Sequence, residues 1–234
     1  MFMDKKIQDL FNNAKNIVFL TGAGVSTASG IPDYRSKGGL YDAVERPEYL
    51  LSTDALANEP AKMYDFIIKN MYFPATKPNV IHQKMAALVN AGKARIITQN
   101  VDGLHLKAGA DAERVIEYHG NIYDVYGVTD HQPASYQNYQ AGMRREDGDI
   151  LRPNITLYGE IPFRTNEAAQ WVMNADLVVI VGTSFVVYPF AGLLQYANAQ
   201  VPILAVNRER IEAPQYVQQE IGDAVTFFEQ LTVE

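Results

Sequence analysis

Asn16-Ile17-Val18-Phe19-Leu20-Thr21-Gly22-Ala23-Gly24-Val25-Ser26-Thr27-Ala28-Ser29-Gly30-Ile31-Pro32-Asp33-Tyr34-Arg35 is the stretch that decides the fold. Its apolar run Ile17–Leu20 reads as a buried strand. The Gly-x-Gly turn after it lets backbone N–H groups come close to an anion. Two features separate this turn from the ordinary dinucleotide fingerprint. Thr27 stands at the third glycine position, and no strand with a ribose-binding acid comes about 20 residues later. In its place the chain runs into a polar loop, Ser29 to Arg35, carrying the acid Asp33 and the base Arg35. A bare phosphate loop needs neither.

Working outward, apolar and β-branched runs recur at Arg95–Thr98, Val115–Glu117, Leu177–Val181 and Ile203–Val206, with Ala224–Phe228 as an expected sixth strand. Short, nearly continuous runs of this kind suit a parallel sheet buried on both faces. Between them, Ile81–Asn90 places Ile81, Met85, Leu88 and Val89 on one helical face before the Gly92 stop, and Asn166–Met173 precedes the Leu177 run. This alternation predicts an α/β fold on a doubly wound, Rossmann-like parallel sheet, with ligand chemistry at the carboxyl ends of its strands.

Two stretches interrupt the alternation. One holds Gly38-Gly39 and an aromatic-rich helical region, Ala61–Tyr72, ending at Pro74. The other is polar, with the turn His131-Gln132-Pro133, scattered Tyr126, Tyr136 and Tyr139, and the charged run Arg144–Asp149. Together they predict a smaller, discontinuous lobe of residues 36–74 and 124–151, leaving 1–35, 75–123 and 152–234 to the larger domain.

Composition narrows the function. The chain has 234 residues, enough for a sizeable core. A formal charge of −7 argues against a dedicated nucleic-acid binder. No N-terminal signal pattern and no run of about 18 apolar residues is visible, so a cytoplasmic protein without a membrane span is expected. The absence of cysteine excludes disulfides and thiolate metal sites.

Polar residues cluster where strands are expected to end. They are Gln99-Asn100-Val101-Asp102-Gly103-Leu104-His105, Tyr118-His119-Gly120-Asn121, Gly182-Thr183-Ser184 and Asn207-Arg208-Glu209. Each has an ordinary reading alone: Asn and Asp cap helices, Gly-Thr-Ser makes a strand-to-helix turn, and a lone histidine is more often structural. Repeated at successive strand ends, they point to one crevice.

With these motifs in order, the chain resembles the sirtuins, NAD-consuming protein deacylases. The resemblance rests on Thr21 to Arg35, Thr98-Gln99-Asn100-Val101-Asp102-Gly103-Leu104-His105, His119-Gly120-Asn121, Arg152-Pro153-Asn154-Ile155-Thr156-Leu157-Tyr158-Gly159-Glu160, Gly182-Thr183-Ser184 and Val206-Asn207. It spans about Asn16 to Phe228. It implies that NAD is consumed: the acyl oxygen of a modified lysine attacks the nicotinamide ribose, nicotinamide leaves, and the acyl group passes to ADP-ribose. His119 then matches the general base, a role suited to imidazole. Asn100 would hold the ribose and a water, Gln99 would contact the nicotinamide ribose, and Asp102 would bind the nicotinamide carboxamide. Gly22, Ala23, Gly24 and Thr27 would line the phosphates, with Asp33, Tyr34 and Arg35 in the loop closing over NAD. Gly182, Thr183, Ser184, Asn207, Arg208 and Ala224 would serve the phosphate and adenosine side. His105 is read as a packing or capping residue.

On the protein-substrate side, the resemblance implies an acyl-lysine tunnel formed by Tyr64, Thr156, Leu157, Tyr158, Gly159 and Val187, with the peptide added as an extended strand. Thr156 and Tyr158 stand where the family usually has Val and Phe. The acidic-acyl branch uses Tyr-x-x-Arg, whereas Tyr64-Asp65-Phe66-Ile67 lacks the cation, so acetyl or a longer neutral acyl group is expected. The family's two Cys-x-x-Cys pairs fall at Gly127, Asp130, Arg144 and Asp147, so no zinc is expected. Two readings of that segment stand side by side: a pairing of Arg144 with Asp130 and Asp147, or an exposed charge run. A sirtuin-type mono-ADP-ribosyltransferase and a non-catalytic NAD or ADP-ribose sensor are the alternatives to deacylation. An ordinary dehydrogenase is disfavoured by the incomplete fingerprint.

Overall fold

The computed structural model describes residues 3–33, 47–138 and 143–233. Its strands are β1 (Ile17–Thr21), β2 (Ala94–Thr98), β3 (Val115–Glu117), β4 (Gly120–Gly127), β5 (Pro133–Ala134), β6 (Leu151–Ile155), β7 (Leu177–Val181), β8 (Ile203–Asn207) and β9 (Gln218–Ile221). Six of them form one sheet in the order β3-β2-β1-β7-β8-β9, every neighbouring pair parallel. The order reverses between β1 and β7, where Ile17 pairs with both Ala94 and Leu177. That reversal opens a crevice at the carboxyl ends of the two strands.

All five residues of β1 and of β7 are buried, which accounts for their unbroken apolar runs. Phe19 packs on one face of the sheet with Met85 and Phe228, from the helices Val80–Asn90 and Ala224–Gln230. Val18 and Leu20 pack on the other face with Val172 and Phe190, where the helix Thr165–Met173 lies. The Val80–Asn90 helix is fixed at its start by Asn79, whose Oδ1 accepts from Ile81 N at 2.9 Å while His82 Nδ1 accepts from Asn79 N at 3.3 Å.

One expected strand is corrected. Ala224–Phe228 belongs to a helix, not to the sheet. Asp223 caps it by accepting from Val225 N at 3.1 Å, and Ala224 and Phe228 bury one helical face at i, i+4 spacing. The sixth strand is β9, a half-exposed edge of Gln, Gln, Glu and Ile with no apolar run to announce it.

The small antiparallel sheet has the order β5-β4-β6. Its strand β4 runs without a break across the expected boundary at 123/124, and β6 crosses 151/152. The pairing starts at Gly120, whose φ is +84°, and a Cβ there would collide with the Asn154 carbonyl. A third core joins Ile122, Met143 and Ile155 to Met63 and Ile67 of the helix Pro60–Asn70. Gly38, Gly39 and Tyr139 lie outside the described residues. Among the described residues, no helix is long and apolar enough to cross a membrane.

Candidate active site

The chain leaves β1 in two successive 3-10 turns, Ala23–Val25 and Thr27–Ser29, the second ended by Gly30 at φ +90°. The loop after β7 meets the first turn backbone to backbone. Gly24 N donates to Gly182 O at 2.7 Å, and a Cβ on Gly24 would lie 2.7 Å from Gly182 Cα. No side chain fits between the two loops, so both positions require glycine.

A cavity of about 810 Å³ opens above this contact. Gly22, Ala23, Gly24, Thr27 and Asp33 line one wall. Gly182, Thr183, Ser184, Asn207, Arg208 and Ala224 line another. Thr183 N donates to Asn207 Oδ1 at 2.9 Å, and Gln99 Nε2 donates to Thr183 Oγ1 at 3.0 Å. Asn207 Nδ2 is buried without a partner among the described residues, a donor directed at nothing the protein supplies. Tyr34 and Arg35 lie outside the described residues.

Beneath the first turn lies a buried polar network. Ser26 Oγ donates to Asp102 Oδ2 at 2.6 Å, Leu104 N donates to Asp102 Oδ1 at 2.9 Å, and Asn100 Nδ2 donates to Ser26 Oγ and to Gly22 O, both at 3.2 Å. Burial raises the Asp102 pKa, with the Ser26 and Leu104 bonds opposing. Asn100 faces the cavity, whereas Asp102 lies under it. His82 Nε2 is 3.4 Å from Ser26 Oγ, and His105 Nε2 is 3.1 Å from Thr21 Oγ1. The two imidazole rings meet tilted, with centroids 4.9 Å apart and planes at 60°, and burial holds both neutral. Ser26 and His82 were not singled out from the sequence. Ser26 stood inside the quoted loop as one of several small hydroxyl residues, and His82 sat within an apolar helical face.

His119 comes after β3 and also lines the cavity. Burial pushes its pKa down to about 4, with a hydrogen bond to the Gln99 backbone opposing. It is therefore neutral near pH 7 and able to accept a proton. Its carbonyl accepts from Thr156 N at 2.8 Å, which ties it to the segment after β6.

That segment forms the cavity's remaining wall through Thr156, Leu157, Tyr158 and Gly159, with Val187 nearby. Arg152 Nη2 pairs with Glu160 Oε2 at 2.5 Å, and the same oxygen accepts from Leu157 N at 2.9 Å. Tyr158 N donates to Leu51 O at 2.8 Å. Leu51, Met71, Val186 and Tyr188 add apolar lining that the sequence did not single out, because nothing in their local pattern sets them apart. Tyr64 is not part of this wall. It is buried in the small lobe, its ring 5.9 Å from that of Tyr136.

Residues 22–189 match the model of the Sir2 family. An NAD-dependent protein deacetylase of Lactiplantibacillus plantarum is 46% identical over 97% of each chain. One of Listeria monocytogenes is 44% identical, over 97% of this chain and 99% of its own. Among solved structures, a Sir2 with deacetylated p53 peptide and 3′-O-acetyl ADP ribose superposes with a TM-score of 0.89 at 30% identity, covering 98% of this chain and 97% of that one. A complex of Sir2 with p53 peptide and NAD+ gives 0.83 at 30% identity, covering 97% of each. With a family match over most of its length and relatives of this similarity along nearly all of it, the chain belongs to the Sir2 family.

Proposed function

We propose that this chain is an NAD-dependent protein-lysine deacylase that releases nicotinamide, free lysine and O-acyl-ADP-ribose. The observation that carries the reading is the junction at His119. One cavity holds the glycine crevice of β1 and β7, a neutral imidazole, and the Thr156–Gly159 wall hydrogen-bonded to it. Relatives named NAD-dependent protein deacetylase supply the matching chemistry.

NAD supplies the electrophilic ribose carbon from which nicotinamide departs. The residues do the rest. Ala23, Gly24 and Thr27 present the turn where the pyrophosphate rests, and the unpartnered Asn207 amide suits the adenosine side. Gln99 and Asn100 hold the nicotinamide ribose, and His119 takes a proton from a ribose hydroxyl. Asp102 acts through Ser26 and Asn100, which it holds in place beneath the ribose.

The acylated peptide lies between the larger domain and the small lobe as an extended strand. The N–H groups of Thr156, Leu157 and Tyr158 are already committed to His119, Glu160 and Leu51. Gly159 N makes no hydrogen bond among the described residues, which makes it the pairing point for the peptide. Ile67 is buried in the apolar third core, so that position offers no cation for an acidic acyl group, and acetyl or a longer neutral chain is the substrate.

The test is incubation with NAD and an acetyl-lysine peptide, following nicotinamide, acyl-ADP-ribose and labelled protein separately. Acyl-ADP-ribose that disappears in His119→Ala supports deacylation. Label on protein without deacylation would establish ADP-ribosyl transfer, and binding without either product would establish a sensor.

A further inference from the structure

The sirtuin pattern closes the small lobe with zinc, and its ligand positions here are Gly127, Asp130, Arg144 and Asp147. These residues do not fit the ion. Gly127 has no side chain, and Arg144 donates its Nη1 to Gly148 O at 2.8 Å rather than pairing with Asp130. Two carboxylates remain where four thiolates are usual, and among the described residues no three His, Cys, Asp or Glu are placed to hold a metal.

The next residue, Arg145, occupies the centre instead. Its Nη2 lies 2.6 Å from Asp130 Oδ2 and 2.6 Å from Asp147 Oδ2. Its Nε reaches the Asp147 oxygens at 3.0 and 3.1 Å, which completes a fork. Asp149 Oδ2 lies 3.9 Å away and also accepts from Thr129 N at 3.1 Å. A Cβ on Gly127 would fall 2.5 Å from Asp130 Oδ1, 2.6 Å from Asp149 Oδ2 and 3.1 Å from Arg145 Nη1. The first carbon of a cysteine there would displace the cluster. The missing side chain and the guanidinium are therefore two parts of one arrangement.

We infer that Arg145 replaces the metal as the cross-link of the small lobe, its planar cation joining the segment around Asp130 to the segment of Asp147 and Asp149. The clasp also bears on the site. Arg145 N donates to Asp149 O at 2.8 Å, Val128 N donates to Ile150 O at 2.9 Å, and the chain then enters β6, which ends at the Thr156–Gly159 wall. The substrate wall is thus held in register by an ionic rather than a metal cross-link. Asp130 and Asp147 side chains are 38% and 57% exposed, so the clasp is modest in strength and weakened by salt.

The experiment compares the full-length protein with Arg145→Met and Arg145→Lys by hydrogen exchange, with metal content measured in parallel. Wild type is expected to carry no stoichiometric zinc and to keep its unfolding midpoint in EDTA. Arg145→Met is expected to speed amide exchange across 127–132 and 145–151 by roughly tenfold or more while β1 and β7 stay protected. Arg145→Lys keeps the charge but loses the fork, so it recovers only part of the protection. About 1 M NaCl, where the Debye length is about 3 Å, moves wild type the same way. On the deacylase reading, Arg145→Met also raises KM for the acetyl-lysine peptide and leaves KM for NAD in place. Stoichiometric zinc whose removal lowers the midpoint would overturn the inference, as would unchanged exchange in Arg145→Met. Exchange decides the clasp even if no deacylation occurs, so the two readings fail separately.

Discussion

Lowering the pH from about 7.5 to about 5 sets two desolvated groups, the buried His82 and the part-buried Glu117, against each other. His82 is fully buried, and burial alone holds its pKa at about 4. An unfolded histidine titrates near 6.5, so in between only the unfolded chain takes up the proton and stability falls with pH. Linkage puts that loss at about 2 kcal/mol at pH 5. Glu117 runs the other way. Burial pushes it up to about 7, the Asn121 hydrogen bond opposes, and the charges of Asp102 and Asp124 add to the rise. Its native form holds a proton that the unfolded carboxylate has released. The resulting stability is fully present below the unfolded value and is lost as pH rises through about 7, a gain on acidification of about 2 kcal/mol. His119, also at about 4, and His105, held down by burial, add losses of the same sign as His82, so the wild-type profile mixes opposing contributions. Single variants separate them. Urea unfolding at the two pH values is expected to show Glu117→Gln more acid-sensitive than wild type by about 2 kcal/mol, and His82→Gln less acid-sensitive by a similar amount. Shifts in the same direction, or both below about 0.5 kcal/mol, would refute the assignment of these groups to opposite protonation states.

The crevice and its walls make further predictions. Gly24→Ala places a Cβ 2.8 Å from the Gly182 carbonyl oxygen, where only backbone can yield. It should cost about 1–3 kcal/mol by denaturant unfolding and weaken NAD binding in calorimetry. His119→Ala should retain NAD binding while acyl-ADP-ribose formation, followed by mass spectrometry, drops by roughly 10²–10⁴-fold. Glu160→Gln weakens the grip on Arg152 and on Leu157 N, so steady-state kinetics should show a raised KM for acyl peptide with KM for NAD little changed.

The larger sheet was legible because its central strands are buried on both faces, and continuous apolar runs are what such strands require. At the edge the same signal misled. Ala224–Phe228 has apolar residues at 224, 225, 227 and 228, a cluster that fits a short strand until Asp223 caps it as a helix. β9 has one solvent-facing edge and reads as polar loop. The positions of the glycine turn and of the strand-end polar residues were legible because short range fixes them: two backbones in contact, and side chains at the mouth of the crevice between β1 and β7. Leu51, Met71 and Tyr64 depended on how the small lobe packs, which no local pattern encodes. The choice of Arg145 over Arg144 was equally hidden. Adjacent arginines differ only in which side of an isolated bridge they face, Arg144 pairing with Ile150 while Arg145 turns to the aspartates.

Thr27 at the third glycine position bears on how the site works. In a dinucleotide fold that keeps its cofactor intact, the third glycine lets a long helix pack against the first strand, and that helix points its N-terminus at the pyrophosphate. Here the chain makes two short 3-10 turns and ends them at Gly30, so no helix of useful length starts there. On the proposed reading, the anion would rest on the turn itself and on the loop of Gly182 packed against it. Beneath the turn, Ser26 is bonded to Asp102 and Asn100 and lies beside His82. This network binds the floor of the turn to the loop after β2, where Asn100 faces the same cavity as His119. On the proposed deacylase reading, giving up the helix leaves a polar floor where the ribose would lie. A protein that breaks the nicotinamide bond has use for such a floor, and one that only carries hydride has none.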